Sequence, residues 1–181
     1  MSRFISKILR HQPSIIGIEL ERDGAWANVD ELIVGINQHG KFKMDRGLLE
    51  KIVADDSKGR YSFNSDGTKI RANQGHSIDV IIEMEKRLPP EFLYHGTAAR
   101  FIDSIMLQGL LPRSRNFVHL SPDYETAVTV GYRHSKPEEP VILKVHAAQM
   151  AEDGYEFMIS DNGVWQIRNV PPQYLEIMDE I

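Results

Sequence analysis

Pro89 and Pro90 constrain this chain more than any other pair of residues. Two prolines in succession cannot continue a helix, so the pattern before them must stop and an extended connection must follow. The rhythm of apolar residues differs on the two sides. Before Arg87, three helical patterns lead into one alternating stretch; beyond Pro90, short strands surround one or two helices. The chain therefore reads as α+β in two lobes, residues 1–88 and 91–181, without internal repeats or low-complexity tracts. At 181 residues and 41% hydrophobic it can fill two small cores.

In the first lobe, Phe4, Ile5, Ile8 and Leu9 recur at helical spacing and stop near Pro13. Asn28 followed three residues later by Glu31 is a capping-box pattern. It opens a second helix that buries Leu32, Ile33 and Ile36 and ends at Gly40. A third helix is expected from near Asp45, burying Leu48, Leu49, Ile52 and Val53. Arg60–Phe63 and Thr68–Arg71 then flank Asp66-Gly67, the signal of a hairpin with a two-residue loop. In that register Arg60 faces Asn73 and Ser62 faces Arg71, all on one face. Tyr61, Phe63, Ile70 and Ala72 take the other face and dock on the helices. Three helices followed by a hairpin is the order of a winged helix-turn-helix.

The second lobe predicts strands at Phe92–Tyr94, Val118–Leu120, Val141–Val145, Phe157–Ile159 and Val164–Ile167. Helices are expected from about Ala98 to Gln108, closed by Gly109, and from Pro122 to about Val130. Ser121 would cap the latter, with Pro122 at its first position. No G-x-G-x-x-G or G-x-x-x-x-G-K-[ST] occurs, which excludes the usual dinucleotide fingerprint and the P-loop.

The net charge of -5 hides an asymmetry: residues 1–89 carry 14 Lys+Arg against 13 Asp+Glu, and residues 90–181 carry 7 against 13. A polyanion would be held in the first lobe, by a local cluster and not by bulk charge. The chain has no cysteine, which removes disulfides, thiol catalysis and Cys-containing zinc sites. No apolar run approaches the ~18 residues of a membrane span, and Met1–His11 lacks the features of a signal peptide. A cytoplasmic protein, monomeric and without a membrane partner, is the expectation.

Taken singly, the candidate residues have ordinary explanations. Arg10-His11 closes the first helix, where the helix dipole favours a cation. Arg60 and Arg71 on a hairpin, or Arg113 and Arg115 after a turn, read as solvated side chains. His95, in Leu93-Tyr-His-Gly-Thr97, is either a hydrogen-bonded core residue or a ligand contact, and Gly96 would let a ligand approach the backbone. His119 allows either account. His39, His134 and His146 have no partner at metal-ligand spacing, so no metal is expected. Glu152/Glu156 and Glu176/Glu180 read as exposed charges, not as an acid/base couple, and there is no G-x-S-x-G elbow.

Together, however, the segments form a pattern. Ser6-Lys-Ile-Leu-Arg-His11, Lys58-Gly-Arg-Tyr61, Ile70-Arg-Ala-Asn-Gln-Gly-His-Ser77 and Leu93-Tyr-His-Gly-Thr97 are followed by Arg115-Asn-Phe-Val-His-Leu-Ser121, Gly131-Tyr-Arg-His134 and Asn162-Gly-Val-Trp165. In this order, over nearly the full length, the chain resembles the RNA 2'-phosphotransferases of the Tpt1/KptA family. The resemblance implies a winged-helix N-lobe and an ADP-ribosyltransferase-like C-lobe. It implies transfer of an internal RNA 2'-phosphate to NAD+ through an ADP-ribosylated intermediate, giving 2'-OH RNA, nicotinamide and ADP-ribose 1'',2''-cyclic phosphate. The family's catalytic set maps onto Arg10, His11, Arg60 and Arg115. Arg71, Asn73, Gln74, His76 and Ser77 fall on a motif assigned to the RNA side. His95, Gly96 and Thr97 match the NAD-facing motif, with Ser121 and Arg133 as further candidates near the nucleotide. The chain departs from the pattern at Asn116 or Phe117, at Ser135 and at Gln166.

The chemistry suits these residues. A phosphomonoester carries about -1.5 to -2 charges at pH 7, enough to attack a ribose C1'' without a general base. Arginine forks hold phosphate at two points and can supply the positive charge that Mg2+ supplies in many phosphoryl transfers. Two rivals stand beside this reading: an ADP-ribosyltransferase that caps nucleic-acid phosphates or modifies protein, and a winged-helix regulator that only senses NAD or ADP-ribose.

Overall fold

The computed structural model describes residues 1–82 and 84–178. The chain is mixed α+β and divides into two compact units, Met1–Glu83 with Ser114–Asn116, and Met84–Arg113 with Phe117–Ile181. The Arg87–Pro90 stretch lies within the second unit.

The first unit runs α1 (Ser2–Arg10), β1 (Ala27–Asn28), α2 (Val29–His39), α3 (Arg46–Ala54), β2 (Tyr61–Phe63) and β3 (Lys69–Ala72), with a 3-10 turn at Pro13–Ile16. Asn28 caps α2 as its spacing from Glu31 implies, accepting from the N–H groups of Asp30 and Glu31 at 2.9 and 3.1 Å. Gly40 ends α2 in the left-handed conformation. Asp45 caps α3 by accepting from the Leu48 N–H at 2.8 Å. The hairpin keeps the expected register, with Tyr61 opposite Ala72 and Ser62 opposite Arg71. Its loop is longer than two residues: the ladder closes at Asn64 and Lys69. Asp66 Oδ1 accepts from the Thr68 N–H instead of letting Thr68 pair across the hairpin. The apolar face (Tyr61, Ile70, Ala72) joins Ile5, Ile8, Leu9, Leu32, Ile36 and Leu49 in one core. Strand β1, unread in the sequence, completes an antiparallel sheet of order β1-β3-β2.

The second unit carries β4 (Glu85–Lys86), β5 (Phe92–Thr97), α4 (Ile102–Gln108), β6 (Val118–Leu120), α5 (Tyr124–Ser135), β7 (Val141–His146), α6 (Ala147–Glu152), β8 (Met158–Ile159), β9 (Trp165–Ile167) and β10 (Leu175–Met178). Two antiparallel sheets form, β10-β7-β5 and β4-β8-β9-β6, bridged where Tyr94 and Ser121 exchange backbone hydrogen bonds at 2.9 and 2.8 Å. Leu93, Leu120, Leu143, Val145, Met150 and Ile167 lie in the core enclosed there.

Three expectations are corrected. Helix α5 starts two residues later than proposed. Asp123, not Ser121, is its cap, accepting from the Thr126 N–H at 2.7 Å, because the Ser121 backbone is held in the bridge to Tyr94. The expected Ala98–Gln108 helix is a 3-10 turn at Ala99–Phe101 followed by α4. Phe157 precedes its strand and packs in the core. Glu152, Glu156 and Glu176 are exposed, and Glu180 lies outside the described residues. Among the described residues, no helix is long and apolar enough to cross a membrane.

Candidate active site

The end of α1 is built into the first unit in a way that exposes chemistry. A helix leaves its last carbonyls without intrahelical partners, and here residues 73–77 supply them. The Ser77 N–H donates to the Arg10 carbonyl at 3.0 Å, and the His76 imidazole to that of Leu9. Asn73 ties the same segment to the hairpin, its N–H donating to the Arg60 carbonyl at 2.9 Å and its Nδ2 to that of Gly59 at 2.8 Å. Ser77 Oγ lies 2.8 Å from His11 Nδ1, which fixes the ring and directs Nε2 outward from that bond.

Four guanidinium groups gather around this junction. Arg60 is oriented by Asp56, whose carboxylate accepts from the Arg60 N–H at 2.5 Å and pairs with its Nη1. The Asp56 side chain is 4% exposed, against 33% for Arg60. Arg115 arrives on a segment pinned by Asn116, whose N–H and Nδ2 donate to the carbonyls of His76 and Ile78, each at 3.0 Å. Arg71, on the same hairpin face as Arg60, lies over the Trp26 ring. Arg10 itself is half-buried; burial pulls its guanidinium below the usual value, Tyr61 opposes this, and Arg115 and Arg60 add to it. Its Nε and Nη2 are buried without a hydrogen-bond partner among the described residues, as are Asn73 Oδ1, Gln74 Oε1 and His76 Nε2. Unpaired guanidinium donors inside a cation cluster are costly unless an anion completes them. The arrangement suits a phosphate, which accepts from planar forks at two points.

The histidines here are held neutral. Burial, then Arg10 and Arg115, lowers the His11 pKa, and burial with Arg10 and His11 brings His76 down to about 4. At neutral pH His11 therefore carries a lone pair able to take a proton.

In the second unit, His95 lies on β5 with its Nδ1 3.0 Å from the His119 carbonyl oxygen. Thr97 and Ser121 are buried at 6% and 8% exposure, and Arg133 is exposed on α5. Gly96 has a packing reason: a Cβ there would meet the Ala127 carbonyl oxygen at 2.0 Å and the Gly131 Cα at 2.9 Å. The close approach at Gly96 is thus made by α5. The His119 carbonyl can only accept, so His95 Nδ1 carries the proton in that bond and the ring is fixed on β5.

The structure thus brings Arg10, His11, Arg60, Arg115, Arg71, Asn73, Gln74, His76 and Ser77 into one unit, and places His95, Gly96, Thr97, Ser121 and Arg133 in the other. Sequence reasoning missed Asp56 and Trp26. Asp56 stands four residues before Arg60 in the turn that follows α3, where no helical periodicity pairs the two positions.

The profile described as RNA 2'-phosphotransferase, Tpt1 / KptA family, matches residues 1–168. A protein of Nostoc punctiforme is 50% identical over 176 residues, covering 97% of this chain and 94% of its own. One of Trichormus variabilis is 47% identical over 179 residues, at 99% and 96% coverage. One of Escherichia coli O6:K15:H31 is 49% identical over 176 residues, at 97% and 93%. Each of the three is named a probable RNA 2'-phosphotransferase.

Proposed function

This chain belongs to the RNA 2'-phosphotransferase, Tpt1 / KptA family, and from that premise we propose that it removes an internal 2'-phosphate from RNA by transferring it to NAD+. The observation that carries the proposal is the cluster of Arg10, Arg60, Arg115 and His11, with buried guanidinium donors on Arg10 left to be completed. The order α1-β1-α2-α3-β2-β3 supports a winged-helix reading of the first unit, and the paired sheets packed by α5 an ADP-ribosyltransferase-like reading of the second.

His95, Thr97, Ser121 and Arg133 would hold NAD+ as co-substrate; the RNA 2'-phosphate would attack its ribose C1'' with loss of nicotinamide, and the 2''-hydroxyl would then attack phosphorus with loss of the RNA 2'-oxygen. The chain's own work is at the phosphate. Arg10, Arg60 and Arg115 hold its nonbridging oxygens and stabilise the charge that builds on them during transfer. Asp56 keeps Arg60 aimed. His11, neutral and fixed by Ser77, takes the proton of the attacking hydroxyl or returns one to the leaving RNA 2'-oxygen. The products are 2'-OH RNA, nicotinamide and ADP-ribose 1'',2''-cyclic phosphate.

The test mixes the protein, NAD+ and a short RNA bearing one internal 2'-phosphate, and resolves the products. All three products are expected together. His11→Ala is expected to accumulate ADP-ribosylated RNA, with release of nicotinamide slowed far less than formation of the cyclic phosphate. Equal loss of both steps sinks the role given to His11. Duplex-DNA binding without NAD+ turnover would return the protein to the regulator class.

A further inference from the structure

Trp26 has no place in the apolar interior. It is half-buried and packs into neither core. Yet the chain before it is built with unusual care. Ala25, fully buried, is the single non-glycine residue with positive φ (54°) among the described residues, and Gly24 precedes it at φ 85°. A Cβ on Gly24 would lie 2.5 Å from the indole Cδ1 and Nε1, so the backbone itself is the seat of the ring. The Glu21 N–H donates to the Trp26 carbonyl at 2.8 Å. The Gly24 N–H donates to the Ile81 carbonyl at 2.7 Å, and the Ile81 N–H donates to the Arg22 carbonyl at 2.8 Å. Backbone held in a disfavoured region by such bonds is retained where it aims a side chain at a function.

The indole is aimed at Arg71, whose guanidinium carbon is 4.6 Å from the ring centroid. Arg71 stands opposite Ser62, and the next pair on that face joins Arg60 to Asn73. The two arginine positions are therefore about 7 Å apart along the hairpin. Arg71 also belongs electrically to the phosphate cluster, since its charge is felt by His76. An aromatic ring and a stacked guanidinium beside a phosphate site are the two surfaces on which an unpaired base packs.

We infer that Trp26 and Arg71 form the subsite for the nucleobase of the nucleoside that carries the 2'-phosphate. The base stacks with the indole–guanidinium pair while its phosphate enters the Arg10–Arg60–Arg115 cluster. This deepens the proposed function and rests on it for the identity of the ligand. Because every base offers a π-face, the subsite selects nucleotides over bare sugar phosphates without selecting a sequence.

Calorimetric titration of the full chain, without NAD+, tests this with two probes: a 2'-phosphorylated dinucleotide, and the same molecule with that base replaced by hydrogen. Trp26→Ala is expected to weaken the intact probe about tenfold and the abasic probe less than about twofold, whereas Trp26→Phe retains both. Equal weakening of both probes, or of neither, overturns the inference. Should Trp26→Ala fail to fold, Trp26→Leu carries the same comparison. Nicotinamide release is read separately. A wild type that prefers the intact probe yet releases no nicotinamide keeps the subsite and loses the phosphotransferase reading.

Discussion

His76 shows at the scale of one residue how the cluster is kept ready for an anion. Its imidazole is 4% exposed and donates to the Leu9 carbonyl, but Arg10, His11 and Arg71 all oppose a charge on it, and burial opposes it most. Its folded pKa of about 4 lies below the ordinary 6.5, so between these values the unfolded chain binds more protons and stability falls as pH is lowered. We expect acid to cost about 3 kcal/mol across that window through this residue. Urea unfolding from pH 7 to 4 should show the loss, and His76→Gln should remove most of that slope. A variant with the wild-type slope would mean that the destabilisation arises elsewhere. The role of His76 could not be read from Gln74-Gly-His-Ser77, which looks like substrate contact. That segment also closes the end of α1, a tertiary fact that spacing does not carry. Asp56 escaped notice for a similar reason, since its pairing with Arg60 is made by the turn after α3 and not by a regular element.

At the scale of elements, the packing of α5 on β5 depends on two glycines facing each other, Gly96 and Gly131. A Cβ on Gly131 would lie 3.1 Å from the Gly96 Cα and 2.6 Å from Pro140 Cβ. Gly96→Ala forces the helix off the strand and is expected to cost about 3 kcal/mol or more, read as a lower urea midpoint. Gly47→Ala, whose Cβ would meet only the Asp45 carboxylate at 3.6 Å, is the contrast and should be neutral or mildly stabilising. Comparable midpoints for the two variants would refute the packing account. The first unit's helices were legible because Asn28, Gly40 and Asp45 mark their ends with local chemistry. Strand β1 was not, since two residues show no alternation. Helix α6 and strand β10 are short and owe their form to the sheet and core around them. The same local chemistry misled at α5, where Ser121 had the right type for a cap but its backbone was committed to Tyr94.

For the whole molecule, the net charge of -5 says little about the ligand, because the work is assigned to a few arginines in a unit whose basic and acidic residues nearly balance. If those arginines supply the positive charge, turnover should be complete in EDTA. A strict requirement for a divalent ion in the same assay would transfer that role to a metal. Binding of the phosphate should also weaken as salt rises, in the way of a small cation cluster and not of a polycation.

Ser114–Asn116 clusters with the first unit although the chain on both sides of it belongs to the second. The arginine cluster is thus woven from two distant stretches of the chain, so a fragment ending at Pro89 would carry Arg10, Arg60 and Arg71 and lack Arg115. Duplication or swapping of the N-terminal half alone would deliver an incomplete anion trap. A recombination break near the double proline would separate the cluster from one of its own charges.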